Sequence, residues 1–271
     1  MIKDITIGQY YPGKSWLHKL DPRMKLVLTF AVIVVIFLCK NFFSLGVVAL
    51  TAFAACIVSK VPAKMILKSL KPIVIILIFT AVLNIFYTAG GDVWFKWKFI
   101  EITSKGVFTA IFTMVRIVSL VVISSLLTYT TTPTMLTDGL ERILSPLKVF
   151  KIKVHTLAMM MTLALRFIPT LIEEIDRIMN AQKARGADLE TGGVIQRAKA
   201  LIPIFIPLMV SSFRRAYELA FAMTCRCYTG GEGRTRMKQM KLSGRDFAAL
   251  AAVIVITAAI VVLNHFFQPV I

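Results

Sequence analysis

Long apolar runs separated by short polar breaks set the pattern of the chain. Leu26 to Leu38 is apolar but for Thr29, Cys39-Lys40-Asn41 breaks it, and Phe42 to Val58 resumes it. One helix over both runs would overshoot a bilayer core, which needs about 20 residues, so the pattern predicts a tight helical hairpin. Asp21-Pro22 just upstream reads as a helix start, with Asp as the N-cap and Pro pre-set at the first helical position. A basic stretch follows, with Lys60, Lys64, Lys68 and Lys71, and it suits a loop holding a short amphipathic helix. A third apolar run spans 72–87. Gly90-Gly91 and the alternation Trp94-Phe95-Lys96-Trp97-Lys98-Phe99 then predict a hairpin with an aromatic interface belt. The fourth run is 106–128, with Arg116 near its middle, and the last is 247–267.

Between the fourth and last runs the periodicity changes. Val154 to Glu190 and Gln196 to Gly231 both have helical periodicity, parted by a break at Thr191-Gly192-Gly193, and both halves end alike. An arginine stands between two small residues in the last turn: Ala184-Arg185-Gly186 in the first, Cys225-Arg226-Cys227 with Gly230-Gly231 behind it in the second. Glycine ends helices because it accepts a left-handed conformation without steric cost. Arginine in the last turn suits the negative end of the helix dipole. On spacing alone, these ends also fit ordinary dipole-matched helix termini. The apolar parts, 155–172 and 200–213, argue weakly for spanning: the first holds Arg166 and Pro169, and the second is short, with Pro203 and Pro207 inside it. Long helices at or under the cytoplasmic face are expected, apolar on one side where a partner covers them.

Composition places this pattern in a membrane. Of 271 residues 57% are hydrophobic and only 17% charged, as in a polytopic membrane protein. A net charge of +18 would suggest nucleic acid in a soluble chain; here its distribution matters more. Seventeen of the 32 Lys and Arg lie between Thr130 and Ser243, and nine more in the lead-in and the Lys60–Lys71 stretch. The opposite loops hold Lys40, Lys96, Lys98 and Lys105. Positive-inside bias puts the N-terminus and the large basic region in the cytoplasm. The expected fold is all-α and polytopic: a membrane region 1–129 with four spans, a cytoplasmic region 130–243 with two long helices, and a last span within 244–271.

Catalytic chemistry is sparse. No G-x-x-x-x-G-K-[ST] loop occurs, so no ATP site is recognisable, and no cofactor, metal cluster or nucleophile elbow is expected. The cysteines Cys39, Cys56, Cys225 and Cys227 follow neither disulfide nor zinc spacing. His18, His155 and His265 stand far apart and read as structural groups. Arg116 is the one ionisable residue deep in a clear span, and it must face protein or snorkel. A membrane-embedded enzyme acting on lipid or isoprenoid substrates would need paired carboxylates; only Glu173-Glu174 with Asp176 comes near. A secondary carrier lacks intramembrane carboxylates.

Three motifs in order resemble the transmembrane T component of energy-coupling factor (ECF) transporters, bacterial importers built around ABC-type ATPases. They are the lead-in Ser15-x-x-His18-x-Leu20-Asp21-Pro22-Arg23-x-Lys25, then Arg166-Phe167-x-Pro169 with Glu173 and Gln182-Lys183-Ala184-Arg185-Gly186, then Ala222-Met223-Thr224-Cys225-Arg226-Cys227-Tyr228. The second arginine motif departs from the family pattern, with Cys in place of both Ala and Gly. Helix termination there is an open point that Gly230-Gly231 could supply one turn later.

The resemblance implies a non-catalytic subunit in a bacterial cell membrane, with lipid around it and no nucleic acid partner. Arg185 and Arg226 would each dock on one of two ATPase subunits and pair with acidic groups there. The faces carrying Met159, Met160, Met161, Ile202, Phe205 and Met209 would cradle a substrate-binding S subunit for a vitamin or other micronutrient. Arg166, Pro169 and Glu173 would shape the first coupling helix, and His18, Asp21, Pro22 and Arg23 form the N-terminal signature.

Overall fold

The structure, a computed structural model, describes residues 10–88, 90, 93–97, 100–151, 153–187, 193–230 and 240–267. The elements are α1 (Pro22–Leu38), α2 (Phe42–Ser59), α3 (Ala63–Leu70), α4 (Val74–Tyr87), β1 (Val93–Trp97), β2 (Ile100–Thr103), α5 (Ser104–Thr130), α6 (Pro133–Ile143), α7 (Val154–Ala184), α8 (Val194–Cys225) and α9 (Gly244–Phe266). Among the described residues the fold is helical apart from the expected hairpin. In that hairpin Lys96 pairs with Glu101 and Trp97 with Ile100, and a bulge lies between Val93 and Phe95. Lys98, Phe99, Gly91, Thr191, Gly192 and Gly231 lie outside the described residues.

Helix starts follow local chemistry. Asp21 caps α1 through its carboxylate, which accepts the Arg23 N–H at 3.0 Å, and Pro22 occupies the first turn. Asp246 and Ser243 form a reciprocal capping box at the start of α9, which satisfies two otherwise orphaned N–H groups.

Among the described residues five helices are long and apolar enough to cross a membrane: α2, the run Ala63–Tyr87 through α3 and α4, α5, α7 and α9. The number is the expected one, but the membership differs. Helix α1 has 17 residues, about 25 Å at 1.5 Å per residue, which is the short limit of a spanning helix. Helix α7 meets the criterion, yet its 31 residues run to about 46 Å, well beyond a core of about 30 Å.

The described residues form two compact units, one within 10–142 and 240–267 and the other within 143–230. In the first, α5 is the central helix, packed on α1, α2, α3 and α4, while α9 lies on α1 and α2. Its core joins Val35, Ile36 and Cys39 to Val48 and Ile260. Helix α6 approaches the start of α1 so closely that a Cβ on Gly139 would come within 3.3 Å of the Pro22 carbonyl carbon.

Arg116 serves this same unit. Its Nη2 donates to the carbonyl of Cys39 at 2.6 Å, and its guanidinium lies 4.6 Å from the Phe112 ring centroid. The arginine therefore caps the α1–α2 turn, a contact to the chain's own loop. The second unit consists chiefly of α7 and α8 packed together.

Candidate coupling site

The ends of α7 and α8 have the same backbone geometry. At the first, Gly186 N–H donates to Lys183 O at 3.0 Å and Ala187 N–H to Gln182 O at 3.0 Å. At the second, Cys227 N–H donates to Thr224 O at 2.9 Å and Tyr228 N–H to Met223 O at 3.0 Å. These are paired six-to-one and five-to-two bonds, the Schellman closure of a helix. Arg185 and Arg226 are the C-cap residues of the two closures. Gly186 turns the chain at φ 83° and Cys227 at φ 55°. Termination after α8 is thus supplied by Cys227 itself, one turn before Gly230.

Ala184, Arg185, Gly186, Cys225, Arg226 and Cys227 are all exposed. Among the described residues neither guanidinium makes a hydrogen bond or ion pair, and each stands at the negative pole of its helix. The four cysteines are free thiols, and Cys225 and Cys227 stand in the open on either side of Arg226.

Three side-chain contacts define how α7 and α8 run. Tyr228 Oη reaches Met159 Sδ at 2.8 Å, Arg215 Nη2 lies 3.8 Å from Glu174 Oε2, and Gln182 Nε2 donates to Pro203 O at 3.3 Å. The start of α7 meets the end of α8 and the reverse, so the helices are antiparallel. Arg185 and Arg226 therefore stand at opposite ends of the pair, roughly 35 Å apart at 1.5 Å per residue.

The predicted S-subunit contacts divide. Met160 (52% exposed), Met161, Ile202 and Phe205 (60% exposed) are open, whereas Met159 and Met209 are half-buried. Ile204, between Ile202 and Phe205, is buried. Exposed apolar side chains continue along α8 at Ile206, Val210, Phe213, Tyr217 and Phe221. Arg166, Pro169 and Glu173 are exposed on α7.

In the other unit the N-terminal signature forms a polar clasp. His18 bonds to Ser15 Oγ at 2.6 Å and to Tyr11 O at 2.9 Å. Lys25 is buried and donates from Nζ to Thr130 O at 2.9 Å and Thr131 Oγ1 at 3.3 Å, which ties α1 to the end of α5. Arg23 Nη2 donates to Met240 O at 3.3 Å. Pro22 is partly buried at the head of α1. Asp246, 1% exposed, accepts the Asp21 N–H at 2.8 Å and the Ser243 N–H at 2.7 Å.

Sequence reasoning placed Asp21 and Arg23 but missed Asp246, whose partner lies 225 positions away. Glu174, noted only as one of a group of acids with Glu173 and Asp176, faces Arg215 of α8. No group of three or more metal-binding side chains occurs among the described residues.

Fold and site together define a helical multi-pass membrane protein that presents two matched cations on an antiparallel helix pair. Residues 13–237 match the family model CbiQ, described as cobalt transport protein. The chain is 53% identical to the energy-coupling factor transporter transmembrane protein EcfT of Clostridium kluyveri, covering 96% of this chain and 97% of that one. It is 49% identical to the EcfT protein of Ruminiclostridium cellulolyticum over 98% of this chain and 100% of that one. With the EcfT protein of Bacillus subtilis the identity is 43%, over 97% and 100%. The chain belongs to this family, as a transmembrane component of the energy-coupling factor type. Its relatives are named as transporter components, not enzymes.

Proposed function

We propose that this chain converts movement of two cytoplasmic ABC-type ATPase subunits into movement of a membrane-embedded S subunit that binds a vitamin or other micronutrient. Arg185 and Arg226 each pair with acidic groups on one ATPase subunit. The planar guanidinium forks suit bidentate carboxylate contacts that lysine cannot reproduce. The observation that carries this reading is the matched pair of exposed, unpartnered C-cap arginines at opposite ends of one antiparallel helix pair. A separation of roughly 35 Å leaves room for one subunit at each end.

The open apolar side chains of α7 and α8 cradle the S subunit. Methionines repack easily, which suits a surface that accepts more than one partner. The N-terminus and both arginine ends lie in the cytoplasm, in keeping with the distribution of Lys and Arg.

The test is Arg185→Glu with Arg226→Glu in the assembled transporter. The double variant is expected to lose uptake and to release the ATPase subunits during purification. Uptake at the wild-type level would remove the proposal. Metal-dependent turnover of a lipid by the purified chain alone would instead favour the enzyme reading.

A further inference from the structure

Pro207 sits inside α8 and has no N–H. The carbonyl four residues earlier, that of Pro203, therefore has no helical donor. Helix α7 supplies the missing one: Gln182 Nε2 donates to Pro203 O at 3.3 Å. Beside this contact Ile204 is 5% exposed, the one fully buried apolar side chain among those described on α8. Pro203 and Pro207 are themselves exposed, so the Gln182 contact lies at the solvent edge of the seam between α7 and α8. The same Gln182 also holds the arginine end of its own helix. Its backbone carbonyl accepts the Arg185 N–H at 3.1 Å and the Ala187 N–H at 3.0 Å.

We infer that Gln182 is a positioning residue that links the broken turn of α8 to the cap presenting Arg185. Its side chain grips α8 and its main chain closes the turn below Arg185. Displacement of the Arg185 end by an ATPase subunit is thereby handed to α8 at the Pro203–Pro207 turn, next to the exposed Ile202 and Phe205. A free carbonyl opposite a side-chain amide is what makes the grip specific. An ordinary helix carbonyl already has one of its two lone pairs engaged within the helix, whereas the helical lone pair of this one is open. The inference rests on the coupling reading above and names a route within it.

The experiment measures uptake per ATP hydrolysed in the assembled, reconstituted transporter. Gln182→Met keeps length and removes the donor; Gln182→Glu keeps shape and opposes the carbonyl with a charge; Gln182→Lys keeps a donor. Expected are losses of about fivefold for Gln182→Met, the effect of one hydrogen bond of about 1 kcal/mol, a larger loss for Gln182→Glu, and near wild-type coupling for Gln182→Lys. In a Pro207→Ala background the new N–H takes the carbonyl back, so adding Gln182→Met should change the ratio less than twofold.

Wild-type coupling in Gln182→Met, or an equal loss in Gln182→Lys, would overturn the inference. So would the same fivefold loss in the Pro207→Ala background. If Pro207→Ala does not assemble, the comparison of Met with Lys decides alone. Arg185→Glu, measured beside them, separates the two claims. If it leaves uptake intact the coupling reading fails; if it abolishes uptake while Gln182→Met does nothing, only the role of Gln182 falls.

Discussion

Cys227 and Gly186 hold the same turn with different ease. Glycine takes φ 83° without a Cβ to clash, whereas Cys227 at φ 55° carries one, at about 1–2 kcal/mol for a left-handed residue. Cys227→Gly is therefore expected to tighten the second closure. Amide exchange at Cys227 and Tyr228 should slow about tenfold in the purified chain, the equivalent of about 1.4 kcal/mol. Unchanged or faster exchange would show that the cysteine is not strained.

Arg185→Lys keeps the charge and loses the fork. Association with the ATPases should weaken about tenfold in a binding titration, because an ammonium lacks the planar fork that makes two parallel bonds to a carboxylate. The arginines and glycines of these ends were legible in the sequence, since helix-ending glycine has a simple steric cause. The left-handed cysteine was not, because no side-chain rule favours Cys there. Only the surrounding hydrogen bonds impose the conformation.

At the scale of elements, the membrane unit depends on polar contacts that close helix ends. Asp246 takes two N–H groups from the starts of α1 and α9 while almost wholly buried. Asp246→Ala strands the Asp21 N–H and should lower stability by about 1–3 kcal/mol, read as a lower midpoint of thermal unfolding in detergent. An unchanged midpoint would mean that water replaces the carboxylate. Arg116→Leu removes the donor to the Cys39 carbonyl in an apolar surrounding and should cost about 1.5–3 kcal/mol in the same assay.

Helix positions were legible because apolar runs and the Asp21-Pro22 start have local causes. Partners across the fold were not. Nothing near Asp246 in sequence points to Asp21, and nothing near Arg116 points to Cys39. At Gln182 the chain shows half of the contact: Pro207 plainly frees a carbonyl, but the donor that fills it comes from another helix. Helix α7 shows a different limit. Its length and apolarity satisfy a spanning criterion, while its basic flanks and the arginine at its end argue for the cytoplasmic face.

Across the whole molecule, two units divide the work. One is a bundle centred on α5 with buried polar clasps at its helix ends. The other is an antiparallel helix pair whose apolar side chains and terminal arginines are left open, as befits a part finished by its partners. The most direct measurement uses the thiols already flanking Arg226. Cys225 and Cys227 are exposed and free, so a membrane-impermeant maleimide followed by site-resolved mass spectrometry reports both sidedness and docking. In inside-out vesicles stripped of ATPase subunits both cysteines should label rapidly. Restoring the ATPases should protect them, and sealed right-side-out vesicles should show no labelling. Labelling from the external face, or equal labelling with and without the ATPases, would contradict the proposal that this end is a cytoplasmic docking point.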